Sequence, residues 1–339
     1  MYFVMTVDVE ADDAWNSPDK IQLKNLAQIP KFQQLCDRYG IVPTYLLAYE
    51  CACRDEAISV LKPISDSGKC EIGHHLHCWT TPPFEKEGPP GVDSAWIHAY
   101  QFELSDSLFA EKAECLRLAI ERSYGCSPTS HRAGRWGIDQ RSINWLVENG
   151  FVAESSVVPL MSFNKNMGKT REGPSFYSAP SKPFLWHSTA ETKSGKTSIM
   201  EIPLTVYTPM HNMIKLIGEV SHLQIPGKRF AEMLYNKLLG LGGVLRPNPR
   251  YTEGKLLHMM EMESKHQQVV TNCMIHSSEL ALGCSPYSTN KHDCESVWGI
   301  LEAVFNLVKQ SGIRPLSLSQ VAGRLELRSD LSKTGSCRK

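Results

Sequence analysis

The sequence has no excess charge of either sign: lysine and arginine total 36, aspartate and glutamate total 36, and the formal net charge is +0. That balance excludes a global field able to draw nucleic acid or an anionic membrane surface, so the partner is expected to be neutral or recognised locally. Nowhere does the chain present the roughly 18 consecutive apolar residues that a membrane span requires. Its opening stretch, Met1 to Asp8, has neither the basic region nor the long apolar core of a secretory signal. A cytoplasmic protein without a transmembrane segment is the expectation. The 11 cysteines are scattered and never form a C-x-x-C pair, which excludes a zinc ribbon or a dithiol redox motif and predicts reduced thiols. Internal repeats and low-complexity tracts are also missing, and nothing in the sequence fixes an oligomeric state.

What is present is a chain of 339 residues, 42% hydrophobic and 21% charged, long enough to bury one large core. Short apolar runs rich in β-branched residues recur at Tyr2 to Val9, Ile41 to Leu47, Cys70 to His77, Pro128 to Arg132, Phe151 to Ser155, Ser198 to Pro203 and Val269 to Ile275. Between them, Asn25 to Tyr39 shows helical spacing of Leu26, Ile29, Phe32 and Leu35 and stops at Gly40. Asp55 to Ser67, Leu108 to Tyr124, Gln140 to Asn149 and Val297 to Gly312 follow the same pattern. Strand alternating with helix implies an α/β fold with a parallel sheet, here a closed or nearly closed barrel whose functional residues gather at the carboxyl ends of the strands. A single barrel over 1–327 is expected, with a mostly helical insertion around 205–265 and a flexible tail at 328–339. The Pro/Gly-rich stretch Pro82 to Trp96 reads as a loop bordering the site.

Four constellations carry chemistry. In Thr6-Val7-Asp8-Val9-Glu10, Asp8 and Glu10 share a strand face, and two carboxylates so close repel unless a cation lies beside them; an acidic surface loop is the plain alternative. In Glu71-Ile72-Gly73-His74-His75-Leu76-His77, His75 and His77 share a face about 6.6 Å apart along the strand, close enough for two imidazoles to converge on one ion, whereas His74 faces the other way as a structural residue. Ser130-His131-Arg132-Ala133-Gly134-Arg135-Trp136 ends a strand with glycine and two guanidinium groups, which suit holding a carboxylate ionised beside a close backbone approach. Met274-Ile275-His276-Ser277-Ser278-Glu279-Leu280 delivers a histidine at a strand end. Trp79, Trp136 and Trp96 could stack on pyranose faces or simply fill the barrel rim, and Arg135 is a further candidate for substrate contact.

Taken in order, these four motifs resemble those of the polysaccharide deacetylases, the NodB-homology group or carbohydrate esterase family four, and look closest to its WalW-like branch associated with lipopolysaccharide biosynthesis. The resemblance spans about residues 1 to 290. It implies a distorted (β/α)7 barrel, one divalent metal ion, usually zinc, and hydrolysis of N-acetyl groups on a sugar or polysaccharide precursor. Carried over by position, Asp8 matches the catalytic base, Arg132 the arginine that orients it, His276 the acid histidine and His75 the first metal ligand. Glu10 or a neighbour replaces the ligand aspartate, and His77 stands in for a second ligand histidine where position 79 is Trp. Where the family often has an aspartate-tryptophan motif, this chain reads Phe151-Val152-Ala153-Glu154-Ser155-Ser156, which leaves the partner of the acid histidine unassigned. Two other readings stand beside this one: a NodB-like hydrolase of a small cyclic amide or ureide, and a carbohydrate-binding homologue without activity.

Overall fold

The computed structural model of the protein describes residues 1–192, 195–208, 243–265 and 269–335. Strands and helices alternate through the first half: β1 (Tyr2–Val9), α1 (Ile29–Tyr39), β2 (Pro43–Leu47), α2 (Tyr49–Cys53), α3 (Asp55–Asp66), β3 (Glu71–Leu76), α4 (Asp106–Tyr124), β4 (Ser130–Ala133), α5 (Gln140–Glu148) and β5 (Ala153–Glu154). A hairpin of β6 (Phe184–His187) and β7 (Ser198–Glu201) comes next, then β8 (Val206–Tyr207), β9 (Gly243–Val244), α6 (Glu253–Lys265), β10 (Val270–His276), α7 (Lys291–Gln310), β11 (Arg314–Pro315) and α8 (Leu318–Gly335). Every apolar run read from the sequence becomes a parallel strand, in the order β10-β1-β2-β3-β4-β5-β7, with β6 antiparallel at the edge. The strands missed by the sequence reading, β6, β8, β9 and β11, are too short to show a period.

The sheet curls far enough for the chain leaving β7 to reach β10 on its other side. Thr205 N donates to Asn272 O at 3.1 Å, Asn272 N to Thr205 Oγ1 at 2.9 Å, and Met274 N to Leu245 O at 3.3 Å, so the chain just after β7 lies against β10. Along β1 the two faces divide the work. Phe3, Met5, Val7 and Val9 pack outward on the helical layer with Phe32 of α1 and Phe305 of α7. Tyr2 and Val4 point into the curl, where Leu46, Met200, Val270 and, from α8, Leu318 and Val321 plug its amino-terminal end. With both faces buried, β1 is apolar almost throughout, as a parallel strand should be. Above that plug the inward positions turn polar, and they continue into the site at the carboxyl ends. α1 stops where expected: Gly40 takes the left-handed φ of 69° and its N–H reaches Asp37 O and Cys36 O.

Pro82 to Trp96 forms neither helix nor strand. Of the insertion expected at 205–265, the described parts are β8, β9 and α6, and 209–242 lie outside the described residues. α8 runs on to Gly335, through most of the stretch read as a flexible tail, with 336–339 outside the described residues. Among the described residues every cysteine is a free thiol, and no helix is long and apolar enough to cross a membrane.

Candidate active site

Register decides which side chains meet. Asp8 of β1 lies opposite His276 of β10, and His75 of β3 opposite Arg132 of β4. Asp8 near the end of β1 and Glu10 just past it, two residues apart, both line the cavity at the mouth of the barrel and are both buried. Arg132 Nη1 donates to Asp8 Oδ1 at 2.5 Å. The guanidinium is itself fixed by Ser155 O at 2.7 Å, Thr6 Oγ1 at 2.9 Å and Ser155 Oγ at 3.0 Å. Burial pushes the Asp8 carboxyl up, but Arg132, His75 and His276 together outweigh it and hold the group at about 2. The segment Phe151 to Ser156 therefore serves the arginine rather than the acid histidine.

The metal-ligating candidates come together. Glu10 Oε2 lies 3.3 Å from His77 Nε2 and 3.8 Å from His75 Nε2, and one ligand atom from each residue falls within 4.8 Å of the others. Ligand atoms of a tetrahedral ion with bonds of about 2.0–2.1 Å stand roughly 3.3 Å apart, so the set fits a divalent metal. His75 Nδ1 lies 3.0 Å from Arg132 O. A carbonyl only accepts, so Nδ1 carries the proton and Nε2 turns its lone pair toward Glu10, the arrangement that metal-binding histidines use. Burial opposes charge on both imidazoles: Asp8 and Glu10 raise the pKa of His75 nonetheless, while burial and the neighbouring His75 push His77 down to about 3. Burial raises the Glu10 carboxyl, and His276, His75 and His77 reverse that to a net lowering. Gly134 makes room for this cluster, because a Cβ there would stand 2.5 Å from His77 Cδ2 and 2.5 Å from Leu76 O. Trp79 stacks on the His77 ring, with centroids 4.5 Å apart and planes at 20°.

His276 ends β10 and begins a short 3-10 turn (Ser277–Leu280) in which Glu279 folds back on it. Glu279 Oε1 lies 2.9 Å from both His276 N and His276 Nδ1. Arg246 donates to Glu279 through Nη2 at 2.5 Å and Nε at 3.2 Å. Burial raises the Glu279 carboxyl, but Arg246 and His276 more than offset it, so the pKa is lowered and the group is an anion. Arg246 Nη2 also stands 3.1 Å from His276 Nδ1, but it donates to Glu279 Oε1 at the shorter 2.5 Å, so the carboxylate, which only accepts, assigns the proton to His276 Nδ1. His276 Nε2 is thereby aimed back at Asp8 Oδ2 at 3.7 Å and Glu10 Oε1 at 3.9 Å.

Asp8, Glu10, His75, His77, Arg246 and His276 open on one cavity of ≈ 480 Å³, whose wall also carries Trp136, Arg135, Tyr100, Trp15 and Tyr287, while Arg132 and Glu279 stand behind it. Such a volume suits a sugar-sized ligand. Arg135 and Trp136 are turned onto the wall by left-handed backbone, φ 55° and 65°, a conformation costly for residues with a Cβ and concentrated at functional sites. Trp96, read as a third stacking platform, is not on the cavity wall; Lys169 covers its ring at 4.0 Å. Sequence reading missed Glu279, Arg246, Trp15 and Tyr287. Only Glu279 left a signal, the His-x-x-Glu spacing of a capping box.

No family model matches the chain, and no curated protein matches it. Solved structures do. A protein assigned as a polysaccharide deacetylase from Mycobacterium smegmatis superposes with a TM-score of 0.54 at 14% identity, over 97% of this chain and 91% of that one. A family 4 acetyl xylan esterase from Clostridium thermocellum, in complex with a cobalt ion, gives 0.42 at 10% identity over 94% and 89%. The peptidoglycan deacetylase PdaC from Bacillus subtilis gives 0.42 at 9% identity over 100% and 97%. The first of these carries the likeness of fold, and with the parallel curl and the polar cluster at its strand ends it gives this chain the NodB-type β/α barrel fold of the polysaccharide deacetylases.

Proposed function

We propose that the chain is a metal-dependent hydrolase that removes N-acetyl groups from a sugar or polysaccharide precursor. The reading is carried by one observation: a Glu-His-His ligand set, an arginine-held carboxylate and a carboxylate-held histidine face each other across a single cavity. Glu10, His75 and His77 would hold the ion, with zinc the first expectation for one carboxylate and two imidazoles. When bound, such an ion supplies Lewis acidity, polarising an acyl oxygen and acidifying water from a pKa of about 15.7 towards about 7. Asp8 needs that help, since a carboxylate held at about 2 is a weak base.

In the proposed cycle Asp8 accepts a proton from the attacking water as the water oxygen bonds to the acyl carbon. The C–N bond then breaks, and His276 passes the proton on Nε2 to the departing nitrogen, which leaves as an amine rather than an anion. Asp8 Oδ2 and His276 Nε2 are 3.7 Å apart, so the proton gained by the first can restore the second. Glu279 orients His276 and Arg132 orients Asp8; neither needs to touch substrate. Aromatic walls at Trp136, Phe163 and Tyr100 favour a pyranose over a small cyclic amide, because flat π-faces pack well on sugar C–H faces. The likeness to a protein assigned as a polysaccharide deacetylase supports the same substrate class. A place in lipopolysaccharide or other surface-polysaccharide assembly rests on the sequence resemblance alone.

The test is acetate release from N-acetylated sugars together with metal analysis of the purified protein. Asp8→Asn and His276→Ala should each lower kcat by about 10²-fold or more with metal content nearly unchanged. Unaltered kcat in either variant, or a wild-type protein active without any bound ion, refutes the assignment.

A further inference from the structure

We infer that the sugar recognised by this cavity carries an anionic substituent, a carboxylate or a phosphate, and that Arg135 is the group that reads it. The inference rests on the sugar-site reading above and narrows its substrate class.

Two arginines stand on the cavity wall, each stacked on a tyrosine. Arg246 lies 4.8 Å over Tyr287 and Arg135 4.2 Å over Tyr100. Arg246 has its counter-charge in Glu279. Arg135 has none: among the described residues no carboxylate lies within ion-pair distance of it. Of its nitrogens, Nη2 donates to Met167 O at 3.0 Å, and Nη1 is buried without an acceptor. The acid nearest in influence, Glu103, spends its oxygens elsewhere, on Tyr100 N at 2.7 Å, Thr170 N at 2.5 Å, Thr170 Oγ1 at 2.8 Å, and Lys169 N and Arg171 N at 3.1 Å. Burial lowers the pKa of the Arg135 guanidinium, with only partial relief from Tyr100 and Glu103.

The other two arginines of the site each have a carboxylate partner. Asp8 faces Arg132, Glu279 faces Arg246, and Glu10 faces the imidazoles. Arg135 is therefore the arginine of the wall without a carboxylate partner, held in place by strained backbone at φ 55° and by the Tyr100 ring. A guanidinium with free N–H groups is built to receive a planar carboxylate or a phosphate. Arg135 lines the same cavity as Glu10, His75 and His77, so an anion held by Arg135 and a group at the ligand cluster can belong to one bound molecule. A purely structural role, pinning the 167 segment onto Tyr100, would leave substrate charge irrelevant.

The experiment compares N-acetylglucosamine with its 6-phosphate, its 1-phosphate and its C6 carboxylate, N-acetylglucosaminuronic acid, by calorimetric binding to the purified protein at fixed ionic strength. At least one charged sugar should bind about 10-fold or more tightly than the neutral one, and the identity of that sugar separates carboxylate from phosphate. Arg135→Gln should bring the ratio near one, and Arg135→Lys should keep part of it, in variants whose Tm matches the parent. Binding of none, binding of all within about twofold, or a preference that survives Arg135→Gln overturns the inference. Acetate release is read in parallel. Charge-selective binding without acetate release overturns the hydrolase reading alone, and equal release from all four sugars overturns the anion inference alone.

Discussion

β3 carries histidines on both faces, and the two faces make opposite use of them. On the outer face His74 meets His131 of β4, Nδ1 to Nδ1 at 2.8 Å, and its Nε2 reaches Ala113 O at 3.1 Å. Trp145 and Phe151 pack around His74, and burial pushes its pKa down to about 3; His131, with its Nε2 unpartnered, is lowered well below the usual imidazole range for the same first reason. On the inner face, one residue further along, burial is just as complete, yet Asp8 and Glu10 turn the His75 shift upward. Burial alone therefore does not make a histidine chemical. What the ring faces decides, Glu10 on the inner side against Trp145 and Phe151 on the outer, even though His77 is pushed down to about 3 as His74 is, and the strand's period of two assigns each ring to its surroundings.

The largest break in that contrast should come from His75→Ala, which is expected to abolish stoichiometric metal binding and cut acetate release by about 10³-fold or more. His74→Phe, on the other face, should keep the metal; elemental analysis of the two proteins decides the matter, and a full ion content in His75→Ala would place the site elsewhere. A smaller effect is expected at Glu279→Gln, which removes the anion that fixes the His276 tautomer: kcat should fall by about 10²-fold with metal content intact. Steady-state kinetics beside a metal assay check this, and an unchanged kcat would leave Glu279 as a helix-cap residue only.

The smallest effect sharpens the outer half of the comparison. A histidine whose folded pKa lies below its unfolded value of about 6.5 binds protons in the unfolded chain first. Its contribution to stability is complete above that value and is lost as pH falls towards the folded pKa, about 3 for His74. Each such group adds a slope of up to about 1.4 kcal/mol per pH unit. His131→Phe removes one of the two, so between pH 6 and about 4 its unfolding free energy should decline less steeply than that of the parent in urea titrations. Parallel declines would mean that this histidine is charged in the fold.

Much of the barrel was legible in the sequence because its signals are local. A parallel strand buried on both faces must be apolar along its length, so β1, β3 and β10 announced themselves as runs that end in Asp8-Val9-Glu10, His75-Leu76-His77 and His276. Spacing placed Glu10 beside Asp8 and His77 beside His75, whereas a shared role for Glu10 and His77 was implied only by the family resemblance. Glu279 was visible as a spacing but not as a partner, since a capping box explains the same residues without catalysis. Arg246, Trp15 and Tyr287 were not legible at all. They reach the cavity from loops whose course no period records, and Trp96, equally aromatic and in a loop, does not reach it.

By itself the amino-acid sequence determined which strands form, which of their side chains share a face, and that carboxylates, imidazoles and an arginine sit at strand ends, because alternation and burial act within a few residues. Only the tertiary structure decided that these ends converge, that Glu279 and Arg246 complete the histidine, and that Arg135 is left without a counter-charge. Those outcomes depend on register between strands far apart in sequence and on where loops land, and they exist only once the sheet has curled upon itself.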